Sequence, residues 1–180
     1  NATGNASDNR IMGNGGNNVL RGMGGHDILR GGSGNDTYIN PFGSDVGDSS
    51  GYDTIRSDQS FSIAESSAVE RLVLTGSGDI NGTGNPLDET IIGQGGSNIL
   101  TGNAGNDTLF GGTGDDTIVG GAGHDVLSGG GNVDLFRFGA SGEGQDTVTD
   151  LQFGNDLFDL SGTLFTGLSE ASGNTTLSYA

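Results

Sequence analysis

Large apolar residues recur along this chain at intervals of nine. Ile11, Leu20, Leu29 and Tyr38 form one series; Ile91, Leu100, Leu109, Ile118, Leu127 and Phe136 form a second. Neither the 3.6-residue period of an amphipathic helix nor the alternation of a half-buried strand gives that spacing. A long fixed period marks a repeat architecture instead. The neighbours repeat as well. Gly13 to Arg21, Gly22 to Arg30 and Gly31 to Ile39 are successive nonapeptides, preceded by a worn copy from Gly4 to Met12. Five more run in tandem from Gly93 to Arg137, after a worn copy from Gly84 to Ile92.

The shared pattern is G-G-x-G-x-D-x-U-x, with U large and apolar. Position six holds Asp27, Asp36, Asp107, Asp116, Asp125 and Asp134, with Asn18 and Asn98 at the array starts. The glycines of the first six positions permit φ > 0 and close backbone approach. A turn of that kind aims several carbonyl oxygens at one point. The last three positions predict a short strand with one inward side chain. A single repeat cannot bury that side chain alone, whereas stacked repeats can, so the pattern predicts a solenoid.

Composition narrows the function. Glycine supplies 38 of 180 residues, and 23 acidic side chains face 6 basic ones, giving a net charge of −17. Nucleic-acid binding needs Lys and Arg to neutralise phosphates, so that class is excluded. No apolar run is long enough for a membrane-spanning helix, so no membrane insertion is expected. With no cysteine there is neither a disulfide framework nor a thiolate zinc site. Apolar residues make up only 31 %, a level usual for disordered chains at high net charge. Folding must therefore draw on something besides a large apolar core. The chain begins without Met and carries no signal-peptide pattern, as expected of a processed or excised piece.

The nonapeptide array resembles the calcium-binding RTX repeats of bacterial proteins exported by type I secretion, similar to the C-terminal region of serralysin-type exoproteins. The resemblance implies an all-β, right-handed parallel β-roll (β-solenoid) with calcium ions in the turns and a C-terminal cap. Two nonapeptides would make one turn of the roll. Calcium would lie between loops n and n+2, held by positions two, four and six of one loop and one, three and six of its neighbour. By that scheme the carbonyls of Gly31, Gly32, Ser33 and Gly34 serve block one. Those of Gly102, Ala104, Gly105, Gly111, Gly112, Thr113, Gly114, Gly120, Gly121, Ala122, Gly123, Gly129 and Gly131 serve block two. Hard oxygen ligands, six or more, are what calcium prefers.

The G-x-D core continues past the perfect repeats at Asp45, Asp53, Asp146 and Asp156. Stacking then predicts the pairs Asp27 with Asp45, Asp36 with Asp53, Asp107 with Asp125, Asp116 with Asp134, Asp125 with Asp146, and Asp134 with Asp156. Asn18 against Asp36 and Asn98 against Asp116 would make weaker sites. Turns of a solenoid lie about 4.8 Å apart, so stacked carboxylates repel unless a cation separates them. Each calcium adds +2, and metal binding would supply folding free energy to an otherwise expanded chain.

The expected organisation is a first repeat block over 1–56, a β-rich spacer continuing the solenoid over 57–83, a second block over 84–160 and a capping segment over 161–180. At most one helical turn is expected, around Ala64 to Ala68. Leu157, Phe158, Leu160, Leu164, Phe165 and Leu168 are the expected cap residues. His26 and His124 occupy position five, expected to be a variable, solvent-facing site. Neither sits in an H-E-x-x-H motif, and no G-x-S-x-G elbow or G-K-[ST] loop is present.

The functional expectation is a non-catalytic calcium-binding module of a larger secreted bacterial protein, folding on calcium binding outside the cell. The type I secretion apparatus would be the parent's partner. The alternatives are a polysaccharide-binding accessory module of an alginate epimerase or lyase type of enzyme, for which Tyr52 and Phe61 are the candidate aromatics, and a structural segment of a large adhesin.

Overall fold

The computed structural model describes residues 1–42, 45–63, 69–139, 144–160, 165–171 and 174–179. Every regular element among them is a β-strand, and the chain winds as a parallel β-solenoid. One face is a single long sheet. Its parallel strands are Ala2–Thr3, Val19–Arg21, Thr37–Ile39, Thr54–Ser57, Arg71–Leu74, Thr90–Gly95, Thr108–Thr113, Val126–Gly131 and Asp146–Val148. Asn174–Tyr179 then pairs antiparallel with Asp146–Val148, and Phe165–Ala171 pairs antiparallel with Asn174–Tyr179. The other face is divided. Arg10–Met12, Ile28–Arg30 and Asp45–Gly47 form one sheet. Phe61–Ser62, Gly82–Thr83, Ile99–Ala104, Thr117–Ala122, Leu135–Arg137 and Leu157–Asp159 form the other.

Position eight builds the core. All ten of its expected residues are buried, from Ile11 at 8 % exposure to Leu29, Tyr38 and Phe136 at zero. They form two stacks, one under each face, because consecutive repeats alternate between faces. Leu20 and Tyr38 stack under the long sheet, continued by Ile55 and Leu72; Leu100, Ile118 and Phe136 stack under the other. Burying one such side chain is worth about 1.5–3 kcal/mol, so a row of them is the cohesive element of the solenoid.

Between the two arrays, Arg71–Leu74 pairs with Thr54–Ser57 on one side and with Thr90–Gly95 on the other. Ile63, Val69, Val73 and Leu74 add buried apolar surface there. On the opposite strand the inward position is Gly82. A Cβ there would lie 2.9 Å from Ile91 Cγ2 and 3.3 Å from Leu72 Cδ2, so neighbouring side chains already fill the space.

Two details differ from expectation. In the second array the strands are six residues long, as in Thr108–Thr113, because pairing continues through positions one to three. Glycines at positions one and two let the backbone bend without leaving the ladder. Leu157 is no cap residue: it lies on a strand and is 57 % exposed. Phe158 and Leu160 are half-buried against the core, and the Phe158 ring lies 5.8 Å from Phe136 and 6.0 Å from Phe138. Leu164 and the segment Ala64 to Ala68 lie outside the described residues.

Candidate metal centre

Position six forms runs of a hydrogen-bonded ladder along each turn edge. The backbone N–H of one position-six residue donates to a side-chain oxygen of the position-six residue one turn later. On one edge Asn18 donates to Asp36 (2.6 Å), Asp36 to Asp53 (2.7 Å) and Asp53 to Glu70 (2.7 Å). Further along it Glu89 donates to Asp107 (2.8 Å), Asp107 to Asp125 (2.8 Å) and Asp125 to Asp146 (3.0 Å). On the other edge Asn9 donates to Asp27 (2.8 Å), Asn98 to Asp116 (2.7 Å), Asp116 to Asp134 (2.9 Å) and Asp134 to Asp156 (3.1 Å). Seven of the eight expected pairings are brought together in this way.

The exception is Asp27 with Asp45. Here the turn is one residue shorter, so Asp45 stands opposite Ile28 and its N–H donates to the Asp27 carbonyl at 2.7 Å. The one-residue slip moves its side chain outward, where it pairs with Arg30 at 2.7 Å. Glu70 and Glu89 are ladder members that the sequence reading missed. Glu89 sits at position six of the worn copy from Gly84 to Ile92, and that register was its signal.

Each ladder carboxylate uses one oxygen for the N–H. The second oxygen of Asp36, Asp53, Asp107, Asp116 and Asp134 is buried with no hydrogen-bond partner. Buried charge without a partner is costly. Burial accordingly raises these acids, the donated N–H pulls back, and neighbouring carboxylates push further up. Asp107 and Asp53 reach about 7, Asp116 and Asp134 about 6, and Glu89 about 8. Asp36 is also raised, again chiefly by burial.

The orphan oxygens point at position-one glycines. A Cβ on Gly111 would lie 2.3 Å from Asp116 Oδ2 and 2.6 Å from the Gly129 carbonyl oxygen. A Cβ on Gly102 would lie 2.2 Å from Asp107 Oδ2 and 2.5 Å from the Gly120 carbonyl oxygen. The same cradle is repeated at Gly13, Gly84 and Gly93, with side-chain oxygens of Asn18, Glu89 and Asn98. At positions two and four, Gly32, Gly34, Gly112, Gly114, Gly121 and Gly123 have φ between 105° and 138°, the left-handed region. Convergent carboxylate and carbonyl oxygens, with no nitrogen or sulfur donor, fit a hard divalent cation such as calcium.

Position five carries a second ladder of opposite sense. Its side chain accepts the N–H of the position-five residue one turn later: Asp88 from Asn106 (2.7 Å), Asn106 from His124 (2.9 Å), and His124 Nδ1 from Gln145 (2.8 Å). His26 and His124 are exposed, as expected, yet position five is not free of structural demands. Where the ladder runs it supplies an acceptor, whereas Val133, also at position five, donates its N–H to Asp115 and has no acceptor to offer.

Comparison with known proteins agrees with this geometry. No curated protein matches the chain. The model of the RTX calcium-binding nonapeptide repeat matches it four times, over residues 3–38, 83–118, 101–136 and 110–148, which together span more than half its length. The chain belongs to the RTX calcium-binding nonapeptide repeat family.

Proposed function

We propose that this chain is a non-catalytic module of a larger secreted bacterial protein, folded outside the cell by calcium. The observation that carries the reading is the row of buried, unpartnered carboxylate oxygens over the position-one glycines. Where calcium is scarce, as in cytosol, those oxygens oppose folding and leave the chain extended for type I export. Where calcium is plentiful, Asp36, Asp53, Asp107, Asp116, Asp125, Asp134, Asp146 and Asp156 hold several ions together with turn carbonyls. Bound ions then supply folding free energy. Burial of the carboxylates at 1–2 % exposure through most of the ladder supports a structural role over a substrate-facing one.

The polysaccharide reading draws little from the aromatics proposed for it. Phe61 is half-buried with its ring 6.2 Å from Phe42, and the Tyr52 hydroxyl is bonded to Thr90 at 3.2 Å.

The test is a calcium titration followed by far-ultraviolet circular dichroism and calorimetry, with magnesium as control. The expected result is a cooperative coil-to-β transition with several ions bound, absent with magnesium. A chain fully folded in excess chelator at pH 8 would remove the export-switch reading.

A further inference from the structure

Two departures from the repeat pattern meet at one point of the first array. Position eight is aliphatic or Phe in every other clear repeat but is Tyr38 here, and the residue at position one of the turn that ends in Asp53 is Asp48 rather than Gly. The buried Tyr38 hydroxyl donates to Asp48 Oδ2 at 2.6 Å and accepts the Gly31 N–H at 2.9 Å. Oxygens of Asp36, Asp48 and Asp53 all lie within 4.8 Å of one another. Asp36 and Asp53 are each 1 % exposed, and each keeps one oxygen without a partner. Asp36 Oδ2 and Asp48 Oδ2 both face the Gly31 Cα, 2.0 and 2.5 Å from where a Cβ would stand. Asp48 itself is half-exposed, which leaves the cluster open to solvent on one side.

We infer that Asp36, Asp48 and Asp53, with Tyr38 holding Asp48 in place, form a three-carboxylate cation site distinct in affinity from the two-carboxylate sites elsewhere in the solenoid. The inference rests on the calcium reading of the ladder and adds a third charge and a phenol to one of its sites. Affinity for a hard cation rises with the number of charged oxygen ligands and with their rigidity. Asp48 supplies the first, and the Tyr38 hydrogen bond supplies the second. The site therefore fills first, at the N-terminal array, and favours trivalent over divalent hard cations more than its neighbours do.

Terbium(III) is the probe, because a phenol beside the ion sensitises its emission under tyrosine excitation. The full chain carries three tyrosines, Tyr38, Tyr52 and Tyr179. In the wild type, sensitised emission should appear with the first, tightest binding step. Tyr38→Phe should abolish most of that emission while the β-type dichroism persists, since Phe136 shows that Phe fits position eight. Tyr52→Phe should leave it unchanged. Asp48→Asn should weaken the tightest step about tenfold and spare the later ones. Full emission in Tyr38→Phe, or an unchanged first step in Asp48→Asn, overturns the inference while leaving the calcium reading intact. A wild type that binds neither calcium nor terbium overturns both.

Discussion

Replacing Asp116 with Asn separates two roles of one side chain. As a carboxylate, Asp116 is 1 % exposed, bonded through one oxygen to the Asn98 N–H at 2.7 Å and unpartnered at the other. Burial raises it from 3.8 to about 6. A raised acid takes up its proton more readily when folded than when unfolded. Below pH 3.8 both states are protonated and the group has no effect on stability. As pH climbs from 3.8 to 6, the unfolded chain ionises first and the metal-free fold loses stability, the loss levelling off above 6 at about 3 kcal/mol for this one group. Asn keeps the acceptor for the Asn98 N–H and removes the charge. In chelator at pH 8, Asp116→Asn should shift the folding equilibrium toward the β-solenoid by up to about a hundredfold, reduced by whatever the new amide N–H₂ leaves unpaired. At pH 4 the shift should fall to about two- to threefold, since the folded carboxyl is then protonated and the unfolded one about half so. In calcium the sign reverses: the variant lacks a charged ligand, so it should need more calcium to fold. Circular dichroism against urea, with chelator and with calcium at both pH values, reads all of these. A variant less folded than wild type in chelator at pH 8 would refute the idea that buried charge restrains the metal-free chain.

Three further outcomes follow from the same geometry. Gly111→Ala places a methyl 2.3 Å from Asp116 Oδ2, whereas Gly131→Ala meets nothing nearer than 4.0 Å; the first should lower urea stability in calcium by about 1–3 kcal/mol and the second by little. For the whole chain in chelator, acidification from pH 8 toward 4 should favour β structure, because Asp53, Glu89, Asp107 and Asp134 are all raised by burial; in calcium, acidification should raise the calcium midpoint, since protons compete for the same oxygens. Leu109→Ala opens a cavity at a fully buried position and should lower stability by about 2–5 kcal/mol in calcium, read by thermal or urea unfolding.

The core was legible because burial at position eight depends on one property, apolar size, and a nine-residue period exposes it directly. The position-six ladder was legible wherever Asp kept its glycine context. It was hidden at Glu70, whose longer carboxylate reaches the Asp53 N–H from a turn without the glycine pattern, and at Glu89, which joins the ladder through its own N–H to Asp107 while its carboxylate accepts the Asn85 N–H. Asp45 was misplaced because an identical G-x-D triplet stands one residue out of step, and only strand pairing reveals the short turn. Position five read as variable because its demand is chemical rather than steric. Asp, Asn, Ser and His all accept the neighbouring N–H, so no single letter recurs. Asp48 and Tyr38 were separately visible in the sequence, but their contact across ten residues needed the fold.

The opposed sense of the two ladders bears on how this molecule can change length. Position six receives its N–H from the turn before, and position five receives its own from the turn after, in both cases 18 residues away in the regular arrays. Within the regular arrays most turns thus give and take the same bonds, with breaks such as Val133, whose side chain cannot accept. Excising 18 residues, such as 102–119, rejoins like to like on both edges. Excising nine would exchange the two faces, setting each following strand under the wrong partner. The chain has a parity: it can be shortened or extended in whole turns without redesign, and not in half turns.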